Sequence, residues 1–328
     1  MTVLEGIKRN DFVVIGRVGM DLFTDPGVTT EDSTQFTADM GGSSANIAAG
    51  IVKLGGRSAL VTTVSDDAIG SFCLSKLDHY GIDRRHVRCV GGEVRNSLAI
   101  YESRTEGHRN VIYRNNAADF EMTTEDVAAL DYTHFGALVT AGTVFAAEPS
   151  RSASFHAFDL ARAAGLPIIF DVDYRPYSWP SAQVASDVLS RAADLSDVIV
   201  GNDDEFGFMA GSKDKGLAKA RDLAATTASI VVYKMGEHGA ITFTDGKEYR
   251  TGIYPVTALK PTGAGDSFMA GFLTSLADGH DMQTAILRGS ACAAIVVAKP
   301  GCAPAMPYPA DLTSFLAEHP GPTAPNEG

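Results

Sequence analysis

The sequence predicts an α/β fold in three layers: a mostly parallel central sheet between helices, with a small antiparallel β-sheet that projects as a lid. Short apolar runs alternate with amphipathic stretches along nearly the whole chain. The runs do not alternate with polar residues, which is typical of strands covered on both faces. Two segments with polar alternation interrupt this rhythm. We therefore expect one domain over residues 1–318 and a flexible, Pro- and Gly-rich tail over residues 319–328.

Several short apolar runs, which begin with "FVVIG", predict the strands of the central sheet. The alternation of strands and helices implies parallel neighbours, because a parallel pair needs a crossover connection that is usually a helix. The runs lie at residues 12–16, 58–64, 133–142, 166–173, 197–202 and 229–236.

The stretches between these runs carry helix signals. Residues 43–56 end in a glycine pair, residues 148–165 end in one glycine, and residues 214–227 show helical spacing. A further helix follows the glycine loop at 263–265, because apolar residues then recur every three to four positions. We expect such helices on both faces of the sheet.

Two segments, residues 17–40 and about 93–115, resemble strands with polar alternation. Thr105–Gly107 has the composition of a hairpin turn between two of these strands. We interpret the segments as a small antiparallel sheet that acts as a lid. An ordinary hairpin at the edge of the main sheet is the alternative.

Composition limits the partners and the compartment. The formal net charge is −13 and no Lys- or Arg-rich run occurs, so we expect neither nucleic acid nor a membrane as partner. The apolar run Ala291–Ala298 is shorter than the about 20 residues that span a bilayer. Cysteines and histidines lack metal-ligand spacing, which predicts no zinc site. The cysteines indicate buried, reduced thiols and a cytoplasmic location: Cys73, Cys89, Cys292 and Cys302.

The stretch "PTGAGDSFMAGF" places a carboxylate beside a candidate anion hole. Gly263, Ala264 and Gly265 lead into a helix, whose N-terminus offers unpaired N–H groups and partial positive charge. No GxxxxGK[ST] occurs, which excludes a Walker P-loop. Phosphoryl transfer would use both features, with the N–H groups on the phosphoryl group and Asp266 as base for an attacking hydroxyl. Alternatively, Asp266 only stabilises the first helical turn.

A second glycine motif, "DMGGSSANIAAG", lies near the N-terminus. Gly41 and Gly42 allow close backbone approach, and Asn46 can donate and accept hydrogen bonds from the first helical turn. A simple helix start, with Ser43 or Ser44 as the N-cap residue, explains the motif equally well.

Together these segments resemble both signature regions of the ribokinase-like, PfkB-type carbohydrate kinases, from "GRVGMD" to "PGCAPAMP". The resemblance implies a sugar that binds between an α/β body and a β-sheet lid, with ATP as phosphoryl donor and Mg²⁺ as cofactor. A sugar-binding regulator without catalytic activity is the alternative from another class. The open edges of a lid sheet favour a homodimer through that sheet.

By position, Asp21 resembles the carboxylate at the lid base that holds sugar hydroxyls, and the Gly41, Gly42 and Asn46 turn resembles the sugar-contacting turn. The loop that ends in Asp266 resembles the anion hole and the catalytic base of the family.

The nucleotide side is implied in the same way. Asn202 and Glu205 of "GNDDEF" match the NxxE motif that organises Mg²⁺ around the phosphates, with Glu205 acting through water. Lys234, Gly236 and Gly239 of "YKMGEHGA" match the strand and turn on the nucleotide side. For the NxxE residues, capping of a helix is the alternative.

Arg114 in "IYRNNAAD" and Arg175 in "DVDYRPYSW" lie where kinases of acidic sugars use cations, although both could be ordinary surface ion pairs. These stretches and "PGCAPAMP" resemble the members that phosphorylate 5-dehydro-2-deoxy-D-gluconate at O6 during myo-inositol breakdown. The alternatives within the fold are kinases of 2-dehydro-3-deoxygluconate, fructose or ribose.

One position departs from the family pattern. Lys260-Pro261 stands where relatives have Asp-Thr, and the acidic residue of that pair helps to bind a monovalent cation. A requirement for K⁺ is therefore in doubt. Our hypothesis is that the ammonium group of Lys260 supplies the missing positive charge.

Overall fold

The computed structural model describes residues 2–104, 106–107, 109–319 and 321–323. The predicted turn at Thr105–Gly107 therefore lies partly outside the described residues, as does most of the predicted tail. The predicted fold class is confirmed, because a large, mostly parallel sheet lies between helices and a small second sheet stands beside it.

Strands of the described chain belong to two sheets. They are β1 (Asp11–Ile15), β2 (Gly19–Phe23), β3 (Thr37–Gly41), β4 (Arg57–Ser65), β5 (Asp83–Val90), β6 (Leu98–Tyr101), β7 (Asn110–Tyr113), β8 (Ala137–Ala141), β9 (Ile168–Asp171), β10 (Val198–Asn202), β11 (Ile230–Lys234), β12 (Ala240–Thr244) and β13 (Lys247–Thr251).

Helices connect most of these strands. They are α1 (Val3–Ile7), α2 (Ser43–Lys53), α3 (Ala68–Tyr80), α4 (Thr124–Ala128), α5 (Ser150–Ala163), α6 (Ala182–Asp194), α7 (Asp203–Met209), α8 (Gly216–Thr226), α9 (Ala264–Ala277), α10 (Met282–Val297) and α11 (Pro309–Glu318). No helix in the described ranges combines the length and the hydropathy that a membrane span requires.

The central sheet has the strand order β13-β12-β11-β10-β9-β8-β1-β4-β5. Every pair from β11 to β5 is parallel, and β12 and β13 extend one edge as antiparallel strands. An apolar cluster covers each face. Phe12 and Val14 of β1 belong to one cluster, and Val13 and Ile15 belong to the other. Burial on both faces is the reason why these strands lack polar alternation.

The two layers of helices can be assigned from these clusters. Helices α1, α2, α3, α9, α10 and α11 contribute buried residues to the first cluster, and α4 to α8 contribute to the second. The helices that carry the two glycine motifs, α2 and α9, therefore lie on the same face and can contact each other.

The small sheet has the order β3-β2-β6-β7, and we call it the lid. Its outer pairs are antiparallel, whereas β2 and β6 pair in parallel because a long segment of the main body separates them in the chain. β3 runs through Gly42 directly into α2. The lid is thus continuous with the second glycine motif.

Strands β5, β12 and β13 were not predicted. β5 and β13 form the two edges of the sheet and expose much of their surface, and β12 alternates apolar residues with threonine. They therefore lack the continuous apolar run of a covered strand. The prediction of buried thiols is correct for Cys73, Cys292 and Cys302 but wrong for Cys89, which is exposed on β5.

Candidate active site

The first turns of α2 and α9 are joined side by side. Each helix begins after a glycine with positive φ. Asn46 Nδ2 donates a hydrogen bond to Asp266 Oδ2 at 2.9 Å. One turn further along both helices, a Cβ atom on Gly50 would lie only 2.6 Å from the Cβ of Ala270. The absence of a side chain at Gly50 therefore lets the two helices approach closely and brings both glycine motifs to one place.

The N-terminus of α9 presents unpaired donors. The N–H groups of Gly263, Ala264 and Gly265 make no hydrogen bond within the described chain, and the first helical bond runs from Ser267 N to Gly263 O at 3.1 Å. A Cβ atom on Gly265 would lie 3.3 Å from Lys234 Nζ, so an ammonium group is close to these donors. Such an arrangement suits the oxygens of a phosphoryl group.

Asp266 is partly accessible from a cleft and is otherwise enclosed by protein. Burial raises the pKa of this carboxyl group to about 6, and the charge of Asp173 adds to the rise. The hydrogen bond from Asn46 and the charges of Arg175 and Lys234 act in the opposite direction. A carboxylate with a raised pKa is a better proton acceptor than an ordinary aspartate.

The ends of three neighbouring parallel strands supply further polar groups: Asp171 ends β9, Asn202 ends β10 and Lys234 ends β11. Asn202 caps α7, because its Oδ1 accepts from Glu205 N at 2.9 Å and its own N–H donates to Glu205 Oε2 at 2.7 Å. Tyr174 N donates to Glu205 Oε1 at 3.2 Å. Ligands of open α/β sheets bind at this edge.

Glu205 fits a magnesium ion held through water. Both of its carboxylate oxygens already accept backbone hydrogen bonds. Burial raises its pKa, although Lys234 opposes the rise. Over the described residues, no group of three or more His, Cys, Asp and Glu side chains could hold a metal ion on its own. Mg²⁺ keeps several waters and binds with substrate phosphates, so the residues fit an ion that arrives with a nucleotide.

The lid contributes Asp21 from β2. A Cβ atom on Gly41, in the neighbouring strand, would overlap the Asp21 carboxylate, so only glycine leaves room for it. Burial raises the pKa of Asp21 to about 7, against the lowering effect of Arg17. Asp21 Oδ1 has no hydrogen-bond partner among the described residues. It is therefore available to accept a hydrogen bond from a ligand.

These groups line one cleft of about 1150 Å³. A pocket for one drug-sized ligand is about 300–1000 Å³ in volume, so this cleft has room for two small substrates. All predicted site residues line it except Gly41 and Arg114. The predicted residues that line the cleft are Asp21, Gly42, Asn46, Arg175, Asn202, Glu205, Lys234, Gly236, Gly239, Gly263, Ala264, Gly265 and Asp266.

The two predicted arginines are placed differently. Arg114 is buried behind the cleft wall, where its guanidinium group forms an ion pair with Asp119 and donates to Thr143 O at 3.0 Å. Arg175 lies on the cleft wall, and its Nη2 is 2.8 Å from Asp173 Oδ1. Each of these cations therefore already has a carboxylate partner within the protein.

Lys260 is almost fully buried next to the anion hole, with 1% of its surface exposed. Its Nζ donates to Thr262 O at 2.6 Å and to Val296 O at 3.3 Å. Burial lowers its pKa, and nearby acidic groups partly offset this effect. Backbone carbonyl oxygens are also the ligands that protein sites offer to monovalent cations.

Sequence reasoning missed four charged residues of the cleft, which are Arg17, Asp171, Asp173 and Glu237. Although burial favours the neutral form, the charge of Arg175 and a hydrogen bond from Ser43 lower the pKa of Asp173. Arg17 and Asp173 each lie two residues after the end of an apolar strand, in "GRVGMD" and "DVDYR". This position after a buried parallel strand is the signal that could have identified them.

Comparisons with known proteins agree with this architecture. The profile of the pfkB family of carbohydrate kinases matches residues 9–309. The chain is 36% identical over 313 residues to the 5-dehydro-2-deoxygluconokinase of Photobacterium profundum, across 93% of this chain and 94% of that protein. It is 35% identical over 318 residues to the protein of the same name from Geobacillus kaustophilus, across 95% of each.

A solved structure has the same fold. The fructokinase of Vibrio cholerae O395, in its fructose-, ADP- and calcium-bound form, superimposes with a TM-score of 0.82. The aligned region covers 94% of this chain and 99% of the fructokinase chain, at 24% sequence identity. At this identity the likeness concerns the fold alone.

The contact between Asn46 and Asp266 leads to a prediction about pH. If Asp266 accepts a proton from a substrate, it must be ionised to act, so kcat/KM should fall as the pH drops below about 6. Asn46→Ala removes a hydrogen bond that favours the ionised form. Such a bond to a charged group is worth about 1.5 kcal/mol, so the acid limb should move up by about one pH unit. The measurement is kcat/KM against pH for both proteins.

Ser267→Ala is the matched control, because its hydroxyl lies in the same helical turn but donates to Ala264 O rather than to Asp266. The acid limb of this variant should stay at the wild-type pH. An unshifted acid limb in Asn46→Ala would contradict the assignment of that limb to Asp266.

Proposed function

The chain belongs to the pfkB family of carbohydrate kinases, and we propose that it transfers the γ-phosphoryl group of ATP to the terminal hydroxyl of a sugar acid. As a member of this family it is a phosphotransferase with an alcohol group as acceptor. A sugar-binding regulator without chemistry, the alternative from another class, therefore does not apply.

One observation carries the proposal. A carboxylate with a raised pKa, Asp266, lies in the first turn of a helix whose preceding N–H groups are unpaired, within a cleft that has room for two substrates. Phosphoryl transfer from ATP to an alcohol needs a proton acceptor and a site for negative charge next to each other. A carboxylate can lie next to an anion-binding loop because the two would act on different oxygens. Asp266 would act on the hydroxyl oxygen of the sugar, and the N–H groups on the oxygens of the phosphoryl group.

In the proposed mechanism, Asp266 Oδ accepts the proton of the sugar's primary hydroxyl. The hydroxyl oxygen forms a bond to the γ-phosphorus while the bond from that phosphorus to the β-phosphate oxygen breaks, which gives the sugar phosphate and ADP. The N–H groups of Gly263, Ala264 and Gly265 stabilise the negative charge that grows on the transferring group. Asn46 keeps the Asp266 carboxylate oriented throughout.

The nucleotide is proposed to lie along the ends of β10 and β11, next to Lys234, Gly236 and Gly239. When bound with the nucleotide, Mg²⁺ would offset the negative charge of the phosphates. Asn202 and Glu205 would hold it through ordered water. On the opposite side, Asp21 and the Gly42 turn would hold the sugar hydroxyls, and closure of the lid would exclude water from the cleft.

For the sugar, we propose 5-dehydro-2-deoxy-D-gluconate, phosphorylated at O6 in myo-inositol breakdown. The names of the relatives that match about 95% of the chain support this choice. Kinases of 2-dehydro-3-deoxygluconate, fructose or ribose remain the alternatives. Arg175 on the cleft wall is proposed to contact the acid or keto group, and a contact from Arg114 stays a prediction.

The remaining proposals concern the cellular location, the partners and the oligomeric state of the enzyme. We propose a cytoplasmic enzyme with no nucleic-acid or membrane partner, in keeping with the net charge of −13. We also propose a homodimer through the lid, because β3 and β7 are its outer strands and Val111 and Tyr113 of β7 are exposed. Open strand edges with exposed apolar residues favour pairing with a second copy.

A panel of substrates tests the proposed function. Sugar-dependent release of ADP should be fastest, as kcat/KM, with 5-dehydro-2-deoxy-D-gluconate and slower with 2-dehydro-3-deoxygluconate, fructose and ribose. A clear preference for a neutral sugar would reject the acid as substrate. Absence of ADP release with every sugar would reject the kinase activity itself.

Substitution of the base is the second prediction. Asp266→Asn should lower kcat by about two to four orders of magnitude, which is the usual contribution of a general base, with little effect on either KM. Asp278→Asn is the matched control, because Asp278 is an exposed carboxylate at the other end of α9. If kcat of Asp266→Asn stays within threefold of the wild-type value, Asp266 is not the base.

The third prediction concerns monovalent cations. In an assay free of Na⁺ and K⁺, addition of K⁺ should change kcat by less than about twofold, because the Lys260 ammonium group already supplies the positive charge. Lys260→Met should lower kcat, whereas Lys299→Met, an exposed lysine nearby, should not. A many-fold rise in wild-type turnover on addition of K⁺ would contradict the role of Lys260.

A further inference from the structure

Arg17 carries a positive charge that the protein does not neutralise at close range. The residue follows β1, lines the cleft and is only 6% exposed. Its Nη1 donates to Ser97 Oγ at 3.1 Å, whereas its buried Nε has no partner. Among the described residues no carboxylate lies within 4.0 Å of the guanidinium group. A guanidinium group stays charged at neutral pH, and buried charges are normally paired.

The other arginines near the sugar half of the cleft do have such partners. Arg114 is paired with Asp119, and Arg175 is paired with Asp173. Of the described arginines in that half, Arg17 is therefore the one left without an internal carboxylate partner, and it can take an anion from outside the protein. The sequence resemblance had pointed to the two paired arginines instead.

Although burial lowers the pKa of Arg17, the acidic groups around it outweigh that effect and raise it, but none of them forms a direct ion pair with the guanidinium group. Asp21, Asp119 and Asp173 and the phenol of Tyr101 act on its charge from beyond ion-pair distance. Asp21 has its own free acceptor, Oδ1, which suits a sugar hydroxyl. Arg17 lies in the β1–β2 connection and Asp21 lies in β2. The two residues could thus bind a carboxylate and a hydroxyl of one ligand.

We propose that Arg17 binds the carboxylate of the sugar acid, an inference that rests on the proposed function. The planar fork of a guanidinium group matches the two oxygens of a carboxylate. The terminal hydroxyl lies at the other end of the six-carbon chain and is left for Asp266. A neutral sugar would leave the Arg17 charge unpaired and desolvated, so Arg17 selects acids over neutral sugars.

The test compares two substrates in two proteins. The substrates are 5-dehydro-2-deoxy-D-gluconate and its neutral analogue with a hydroxymethyl group in place of the carboxylate. Arg17→Gln should lower kcat/KM for the acid by about 100-fold, mostly through KM, because a buried charged pair is lost. Its kcat/KM for the neutral analogue should not fall and should rise if anything, because the substitution removes the charge that this ligand would leave unpaired and desolvated.

Two further variants serve as controls for this comparison. Arg57→Gln, which removes an exposed arginine paired with Asp11 on the surface, should leave both substrates unaffected. Arg17→Lys keeps the positive charge but not the planar guanidinium fork. Its kcat/KM should therefore fall about tenfold for the acid and little for the neutral analogue. If Arg17→Gln does not fold, as judged by thermal melting, Arg17→Lys provides the same comparison.

The outcomes separate the inference from the proposed function. A wild-type enzyme that prefers the neutral analogue would reject the acid substrate before any variant is needed. If the wild-type enzyme prefers the acid but the Arg17 variants lose kcat/KM equally for both substrates, the inference about Arg17 is wrong and the proposed function still stands. In that case Arg17 would act through the lid or through Asp21 and not on the carboxylate.

Discussion

The hydrogen bond from Asn46 to Asp266 is the contact on which the site depends. It joins the first turns of α2 and α9, and the close approach of Gly50 to Ala270 one turn later holds these helices side by side. Because each helix starts at a glycine turn, the same contact sets the Gly263–Gly265 loop against the Gly41–Gly42 turn. A side chain at Gly50 would separate the helices and remove the donor from Asp266.

Burial then determines the chemistry of the charged groups. The cleft desolvates Asp21 and Asp266, which raises the pKa of each towards neutrality. The protein carries a net charge of −13, so anionic substrates cannot rely on its overall field. Two cations line the cleft locally, Lys234 beside the Gly263–Gly265 loop and Arg17 beside the lid. Under the proposed function, Lys234 would serve the nucleotide and Arg17 the sugar acid.

Local patterns in the chain pointed to the Gly263–Gly265 loop with Asp266 and to the Gly41–Gly42 turn, whereas the other predicted site residues came from the family resemblance. A glycine turn before an apolar period marks a helix N-terminus, so the anion-hole loop and Asp266 could be identified from spacing and chemistry. Local patterns did not show which of Arg114 and Arg17 is paired with a carboxylate inside the protein. Both follow a strand, and only the fold shows that Asp119 neutralises Arg114 while Arg17 lines the cleft with no carboxylate at ion-pair distance among the described residues.

The sequence by itself determined the fold class, because covered parallel strands require continuous apolar runs and crossover helices whatever their exact packing. It also determined the types of chemical group that the site contains. Only the tertiary structure decided which charges are paired, how far each carboxyl pKa is raised, and where the edge strands β5 and β13 lie. Pairing and desolvation depend on residues distant in sequence that meet within a few ångströms, and no local pattern records those distances.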